Sequence, residues 1–410
     1  MIKWITENIG TAAYLEAIET KDISIVDVRS LVDKSGNSNK PVLDKINEAL
    51  SLLNNGAKVV ICCDYGMSRS NSIAAGVLSK YKGMPFNQAV RLIMQITQES
   101  DIKIEVLSSV REALQDKSSK EIKDNKKRIF VTGASGFLGT SLVPELMKQN
   151  IIFKPTSKEL NLLENLAEID LYVKENNITH ILHLANPRIY TTQSAFGEAL
   201  TIFKNVLDVC KENNIKLIYP SGWVVYSGYK TESLLASENL PLSPKGLYAE
   251  TKYLCEILLK QYQQIYGLEC CILRSSPVYG NSYDKPKFIY NFIDKALKNE
   301  IIKTHKYLNG FPKLDLLYID DLIKIFIKVI DQDYSGELNI GSGKGTSTNE
   351  IAQIIKELLG SKSIIEHNEI EEYSPNIIMD ISKANKLFDW KSQISIEEGL
   401  KAVISGKTSV

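Results

Sequence analysis

"RIFVTGASGFLGTSLVPELM", residues 128–147, is the stretch that decides the fold. "RIFVTG" opens as an apolar strand, and "SLVPELMKQ" has the character of a helix. Between them Gly133, Gly136 and Gly139 form a G-x-x-G-x-x-G pattern. Glycines there allow a tight turn, close approach of backbone to a pyrophosphate, and contact between helix and strand. The helix start adds N–H groups and the positive end of its dipole. Strand, glycine loop and helix in this order predict a dinucleotide site.

Downstream, "IIFKP", "ITHILHLA", "ALTIFKNVLDVCKEN" and "KLIYPSG" continue the alternation of strands and helices. Such alternation predicts an α/β fold with a doubly wound parallel (Rossmann) sheet, completed by a smaller substrate-binding subdomain. Upstream, "QDKSSKEIKDNKKRIF" (residues 115–130) is rich in charge before its strand begins, as a solvated linker would be. Before it, "ISIVDVR" (23–29) and "KVVICC" (58–63) read as strands. "LDKINEALSLL" (43–53), "SIAAGVLSKY" (72–81) and "FNQAVRLIMQI" (86–96) have helical spacing of apolar residues. The expected organisation is therefore a first α/β domain over 1–116, a linker over 117–126, and a dinucleotide-binding domain over 127–410.

The 410 residues are 44% apolar and 24% charged, with 49 basic and 49 acidic side chains, so the net charge is zero. Nothing in that balance calls for nucleic acid or a membrane as partner. "MIKWITENIGTAAYLEA" lacks the pattern of a signal peptide, and no apolar run approaches the ~20 residues of a spanning helix. Adjacent cysteine pairs are poor disulfide frameworks, and no spacing suggests a metal site. A cytoplasmic location is expected.

In "GLYAETKYLCE", Tyr248 and Lys252 stand four apart, on one face of a helix. A lysine beside a tyrosine favours the phenolate, which can then exchange a proton with a sugar hydroxyl or carbonyl. With "VTGASGFLG", "HILHLA", "YAETK", "LRSSPVYG", "LLYIDDL", "LNIGSG" and "MDISKANKLFDW" in this order, residues 127 to about 405 resemble the extended short-chain dehydrogenase/reductase family. These are the NAD(P)-dependent sugar-nucleotide epimerases and dehydratases. The resemblance implies Tyr248 as catalytic acid/base and Lys252 as its tuning partner and ribose ligand. It implies Gly133, Gly136, Phe137, Leu138, Gly139 and Ala185 as cofactor-binding residues. A homodimer is open to such a chain.

Two departures stand out. The family's Ser or Thr before V-Y-G falls on Gly222 in "YPSGWVVYSG", with Ser221 one place early; Ser221 is the candidate substitute on that turn. The family's frequent Asn is Pro277, and Trp223-Val224 replace the acidic pair of a dehydratase. Epimerase and ketoreductase therefore rank ahead of dehydratase. After "IIFKP", Thr156, Ser157 and Lys158 favour NADP, while Glu159 leaves NAD open.

In the first domain, "VVICCDYGMSRSNSIAAGVL" (59–78) contains C-x-x-x-x-x-R from Cys63 to Arg69. Converging N–H groups before a helix start form an anion cradle, and an arginine adds a bidentate fork. The same positive field would make Cys63 a thiolate nucleophile, with Ser70 beside it. With "ENIGTAAYLEA", "IVDVRSLVDKSGN" and "KGMPFNQAVRLI", residues 1 to about 115 resemble a dual-specificity (cysteine-dependent) phosphatase. The resemblance implies Asp33 as general acid, Asp27 being the runner-up, and places Cys62 where that family has His. The expected protein is bifunctional, taking a sugar nucleotide in one domain and a phosphorylated substrate in the other. The alternatives are an oxidoreductase regulated by a phosphate-sensing module, and a dinucleotide sensor without turnover.

Overall fold

The computed structural model describes residues 1–115, 126–187, 192–280 and 288–408. The expected linker 117–126, except Lys126, lies outside them. The chain forms two compact units. One comprises Met1–Arg128, Pro155–Thr179 and Thr201–Ile215; the other comprises Ile129–Lys154, His180–Leu200 and Lys216–Val410. Two stretches beyond residue 127 thus belong by contact to the first unit.

The first unit begins with β1 (Lys3–Trp4), β2 (Ile9–Ala13), α1 (Tyr14–Ile18), β3 (Ser24–Asp27) and α2 (Asn39–Asn54). It continues with β4 (Val59–Cys63), α3 (Arg69–Lys82), α4 (Phe86–Thr97) and α5 (Ile104–Leu114). The strands form one sheet in the order β1-β2-β4-β3, with β4 parallel to β2 and β3. Every residue of β4 is buried, as a central strand covered on both faces requires. Alternation along β4 sends Cys63 into the main core with Ile61 and Ile73, and Cys62 to the opposite face with Ala12 and Ala17. Ser70 to Leu78 of α3 are all buried. Their small side chains let α2 and α5 close in: a Cβ on Gly76 would lie 2.8 Å from Ile46 and 2.9 Å from Val110.

The second sheet uses β5 (Arg128–Thr132), β6 (Ile151–Phe153), β7 (His180–His183), β8 (Lys216–Gly222), β10 (Cys270–Ser275) and β15 (Gly336–Ile340). Between them run α6 (Phe137–Leu146), α7 (Leu166–Glu175), α8 (Gln193–Asn213), a 3₁₀ turn (Trp223–Tyr226), β9 (Ser233–Ala236) and α9 (Leu247–Tyr266). Ala167 and Leu171 of α7 complete the core of the first unit. Sheet order is β15-β10-β8-β7-β5-β6, and the pairs β5–β7, β7–β8, β8–β10 and β10–β15 are parallel. The chain steps from β5 one way to β6 and then back across to β7, so strand order reverses at the ends of β5 and β7. Ligands of doubly wound sheets bind at such a reversal.

The remainder is a set of small sheets and helices: β11 (Val278–Tyr279), α10 (Phe288–Leu297), β12 (Ile302–Tyr307), β13 (Lys313–Asp315), β14 (Leu317–Tyr318) and α11 (Ile319–Asp331). It ends with β16 (Gly345–Ser347), α12 (Thr348–Leu358), β17 (Ile365–Ile370), β18 (Asn376–Met379), α13 (Ser382–Phe388) and α14 (Ile396–Thr408). Among the described residues no helix is long and apolar enough to cross a membrane, and no group of His, Cys, Asp and Glu is placed to hold a metal ion.

Candidate active site

The glycine loop joins β5 to α6 at the strand-order reversal. Gly133 has φ +66°, and a Cβ there would come within 2.6 Å of Ala185 N. The loop therefore lies backbone against backbone on the segment leaving β7, which only glycine permits. Beneath it, Ala185 N donates to Thr132 Oγ1 at 3.1 Å, and that hydroxyl pairs with His183 Nδ1 at 2.9 Å. Burial, with Lys252 nearby, pushes the His183 imidazole down to about 3, so it is neutral at physiological pH. A Cβ on Gly139 would collide with Ala134, so helix and loop touch there. Gly136 differs: it precedes α6, and an added Cβ would meet only Gly133 O, at 3.2 Å. Phe137 and Leu138 form the first turn of α6, half-buried. Ser157 and Lys158 are exposed beyond β6, within the first unit. The Glu159 carboxylate is turned back on Thr156, accepting from its N–H at 2.7 Å and its hydroxyl at 2.9 Å.

On α9, Tyr248, Lys252 and Glu256 follow at intervals of four and share a face. Lys252 Nζ donates to Pro220 O at 2.9 Å and lies 4.7 Å from the Tyr219 ring and 5.9 Å from the Tyr248 ring. Glu256 fixes the helix to the sheet. It accepts from Arg274 Nη2 at 2.7 Å and from Nε at 3.2 Å, and both side chains are 1% exposed. Arg274 Nη1 also donates to the Tyr226 hydroxyl at 3.0 Å. Removing one member of so buried a pair costs about 3–5 kcal/mol, because the other charge is stranded. The sequence motifs contained Arg274 and Glu256, but nothing in their spacing paired them.

Ser221 and Gly222 were expected on a turn. The structure places both on β8, held by parallel pairing of Ser221 with Arg274 and Gly222 with Ser275; the turn begins at Trp223. Ser221 is buried and, among the described residues, its hydroxyl has no hydrogen-bond partner, as is also true of Ser276 just beyond β10. Gly222 is fully extended, and a Cβ there would find nothing nearer than Ser275 O at 3.5 Å. Packing does not forbid a side chain at that position. Nearby, a cavity of about 200 Å³ is lined by Trp223, Ser227, Pro277, Lys313, Leu314 and Asp315, among others. Trp223 and Pro277, two of the departures from the family pattern, thus face one space. Burial raises the Asp315 carboxyl above its ordinary value, although Ser342 and the Met379 and Gly343 amides donate to it.

In the first unit, β4 delivers Cys63 to a loop that ends at the start of α3. Gly66 has φ +73°, and a Cβ on it would lie 2.6 Å from the backbone of Ala12 and Ala13. Cys63 Sγ is hydrogen-bonded to Ser70 Oγ at 3.4 Å. Burial raises the thiol's pKa, but the Ser70 hydroxyl and the N–H groups of Ser70, Tyr65 and Gly66 outweigh it, and the net shift is downward. Its neighbour Cys62, without such donors, is pushed up to about 11 by burial and then by Asp27. Arg69 Nη1 donates to Arg29 O and Leu31 O at 3.0 Å each, and Nη2 donates to Asp64. The Asp33 carboxylate is ion-paired with Lys103 Nζ at 2.7 Å, which also donates to Asp33 O at 3.0 Å, and lies 3.9 Å from Arg69 Nε. Asp27 is instead consumed by a two-pronged pair with Arg29, whose guanidinium covers the Tyr14 ring at 3.3 Å. The sequence did not signal Lys103, which also donates its backbone N–H to Ser68 Oγ at 3.1 Å.

Comparison with known proteins gives the family. Residues 129–341 match the model of the NAD dependent epimerase/dehydratase family. The chain is 30% identical over 318 residues to the UDP-glucuronate 4-epimerase of Thermodesulfobacterium geofontis, covering 67% of this chain and 94% of that protein. It is 27% identical to UDP-glucuronic acid decarboxylase 6 of Arabidopsis thaliana, covering 67% of this chain and 86% of the relative. The UDP-N-acetylglucosamine 4-epimerase of Bacillus cereus superposes with a TM-score of 0.60 at 25% identity, over 70% of this chain and 98% of that one. The glycine loop at the sheet's reversal, the Tyr–Lys helix and these likenesses agree: the chain belongs to the NAD-dependent epimerase/dehydratase family of enzymes.

Proposed function

We propose that the second unit is an NAD(P)-dependent epimerase or reductase of a UDP-sugar or similar sugar nucleotide. The carrying observation is Lys252, clamped to Pro220 O on the same helix face as Tyr248. Gly133, Gly136, Phe137, Leu138, Gly139 and Ala185 would hold the dinucleotide, with Lys252 and Tyr248 at its ribose end. The bare Gly136 and the backbone-close Gly133 fit that group. When bound, it supplies hydride transfer to or from a sugar carbon. Tyr248 moves the coupled proton at its phenolic oxygen, with the Lys252 ammonium on the same helix face. Neutral His183 adds no second positive charge behind the site. With no hydroxyl at 222, the orphaned Ser221 hydroxyl is the candidate second hydrogen bond. Trp223 and Pro277 shape the sugar side, and the lack of an acidic pair at 223–224 disfavours dehydration. The proposed cofactor is NADP or NAD, with NADP favoured. The test is mass spectrometry of dinucleotide and sugar nucleotide retained by the purified protein, followed by turnover of that sugar. Tyr248→Phe is expected to lower turnover by about 10²–10⁴; unchanged turnover removes Tyr248 from the role.

For the first unit we propose hydrolysis of a phosphoester. The Cys63 thiolate attacks phosphorus, an S–P bond forms, and the ester P–O bond breaks. Asp33 protonates the departing oxygen. Water then cleaves S–P, releasing inorganic phosphate and the thiolate, which Ser70 stabilises. The lowered Cys63 thiol supports this, as does the consumption of Asp27 by Arg29. Cys62 in place of histidine does not remove the donors at the sulfur. A second reading, phosphate sensing without turnover, is favoured by the engagement of Arg69 with Asp64. Aryl-phosphate hydrolysis lost in Cys63→Ser supports catalysis; hydrolysis equal in both proteins refutes it.

A further inference from the structure

Asp64 directly follows Cys63, and phosphoester hydrolysis calls for no carboxylate there. The Arg69 guanidinium has two working edges. Nη1 is spent on the carbonyls of Arg29 and Leu31, both at 3.0 Å, which anchors the side chain. The Nε–Nη2 edge remains, and it is the fork that meets two phosphoryl oxygens. Two carboxylates face that edge: Asp64, hydrogen-bonded to Nη2, and Asp33, 3.9 Å from Nε. Asp33 is also neutralised by Lys103 at 2.7 Å. Arg69 is 11% exposed at its side chain and Asp64 49%, so the carboxylate is free to turn outward while the arginine stays fixed.

We propose that Asp64 is the resident anion of this cradle, occupying the arginine fork until a phosphoryl group displaces it. The proposal rests on the Cys63 loop being a phosphate cradle. Displacement exchanges one anion for another, so the ligand gains only the difference between the two. A phosphate monoester gains most, because its oxygens also meet the N–H groups around Cys63. A substrate bearing a second phosphate would bring that group towards the displaced carboxylate and be repelled. Asp64 thereby selects singly phosphorylated substrates and speeds loss of inorganic phosphate.

The test uses the full chain and inorganic phosphate as the probe. Alkylation of Cys63 by iodoacetamide is followed by peptide mapping at rising phosphate concentration, in wild type, Asp64→Asn, Asp64→Ser and Asp64→Glu. Protection is expected at about tenfold lower phosphate in Asp64→Asn and Asp64→Ser, and near the wild-type concentration in Asp64→Glu. A damaged fold would not tighten binding. Equal protection in wild type, Asn and Ser variants overturns the role of Asp64 and leaves the cradle standing. No protection in any of the four proteins overturns the cradle, and the proposal with it.

Discussion

The loops after β4 and β5 solve the same backbone problem and then diverge. Each leaves a parallel strand, turns on a glycine with positive φ, and enters a helix. At both glycines an added Cβ would lie 2.6 Å from the backbone of the neighbouring strand's end, Ala12–Ala13 for Gly66 and Ala185 for Gly133. The difference is in the side chains. After Gly133 come Ala134, Ser135, Phe137 and Leu138, with no cysteine and no cation. Around Gly66 stand Cys63, Asp64, Arg69 and Ser70, paired across the loop as Cys63 with Ser70 and Asp64 with Arg69. On the functions proposed above, either backbone geometry would serve an anion. The reactive side chains would turn one loop towards chemistry, and the other would hold a ligand whose reactive part lies elsewhere.

That comparison can be broken one glycine at a time. Gly133→Ala is expected to strip the retained dinucleotide and to cost about 1–3 kcal/mol in a urea melt, since alanine is strained at this φ. Cys63 alkylation should be unaffected. Gly66→Ala should do the reverse, raising the pH at which Cys63 reacts and leaving dinucleotide retention intact; loss of both properties in either variant would dissolve the contrast.

The vicinal cysteines sharpen it next. A depressed thiol pKa means more thiolate at any pH below the ordinary range, so Cys63 alkylation should persist below the pH where a free thiol falls silent. Cys62, pushed up to about 11, should react only near that value. Site-resolved alkylation against pH checks both, and coincident profiles would refute the asymmetry. The smallest effect is expected of Gly222→Ser: with no atom within 3.5 Å of the new Cβ, stability should change by less than about 0.5 kcal/mol. Turnover of the sugar nucleotide should rise several-fold if a hydroxyl is what position 222 lacks.

Much of the fold was legible because its signals are local. "KLIYPSG" coincides with β8, Lys216–Gly222, and the apolar run "KVVICC" contains all of β4. Helix α3 starts at Arg69, three residues before the apolar spacing shows, because the polar residues Ser70, Asn71 and Ser72 are buried in the helix's first turn. Tyr248 and Lys252 share a face by helical periodicity alone. The turn expected around Ser221 was displaced, since pairing with β10 extends the strand through Gly222, and that partner lies some fifty residues away in the chain.

Residue type and spacing were enough for the parallel α/β class, the glycine loop, the Tyr–Lys pair and the Cys–Arg loop, since each depends on neighbours within a few positions. Strand pairing and helix docking supplied the rest. They joined Thr132 to His183 and bound Arg274 to Glu256 of the Tyr–Lys helix. They also sent one of two adjacent cysteines towards donors and the other into an apolar face. These are contacts between residues whose proximity is created by the sheet, and their strength comes from the burial that folding imposes.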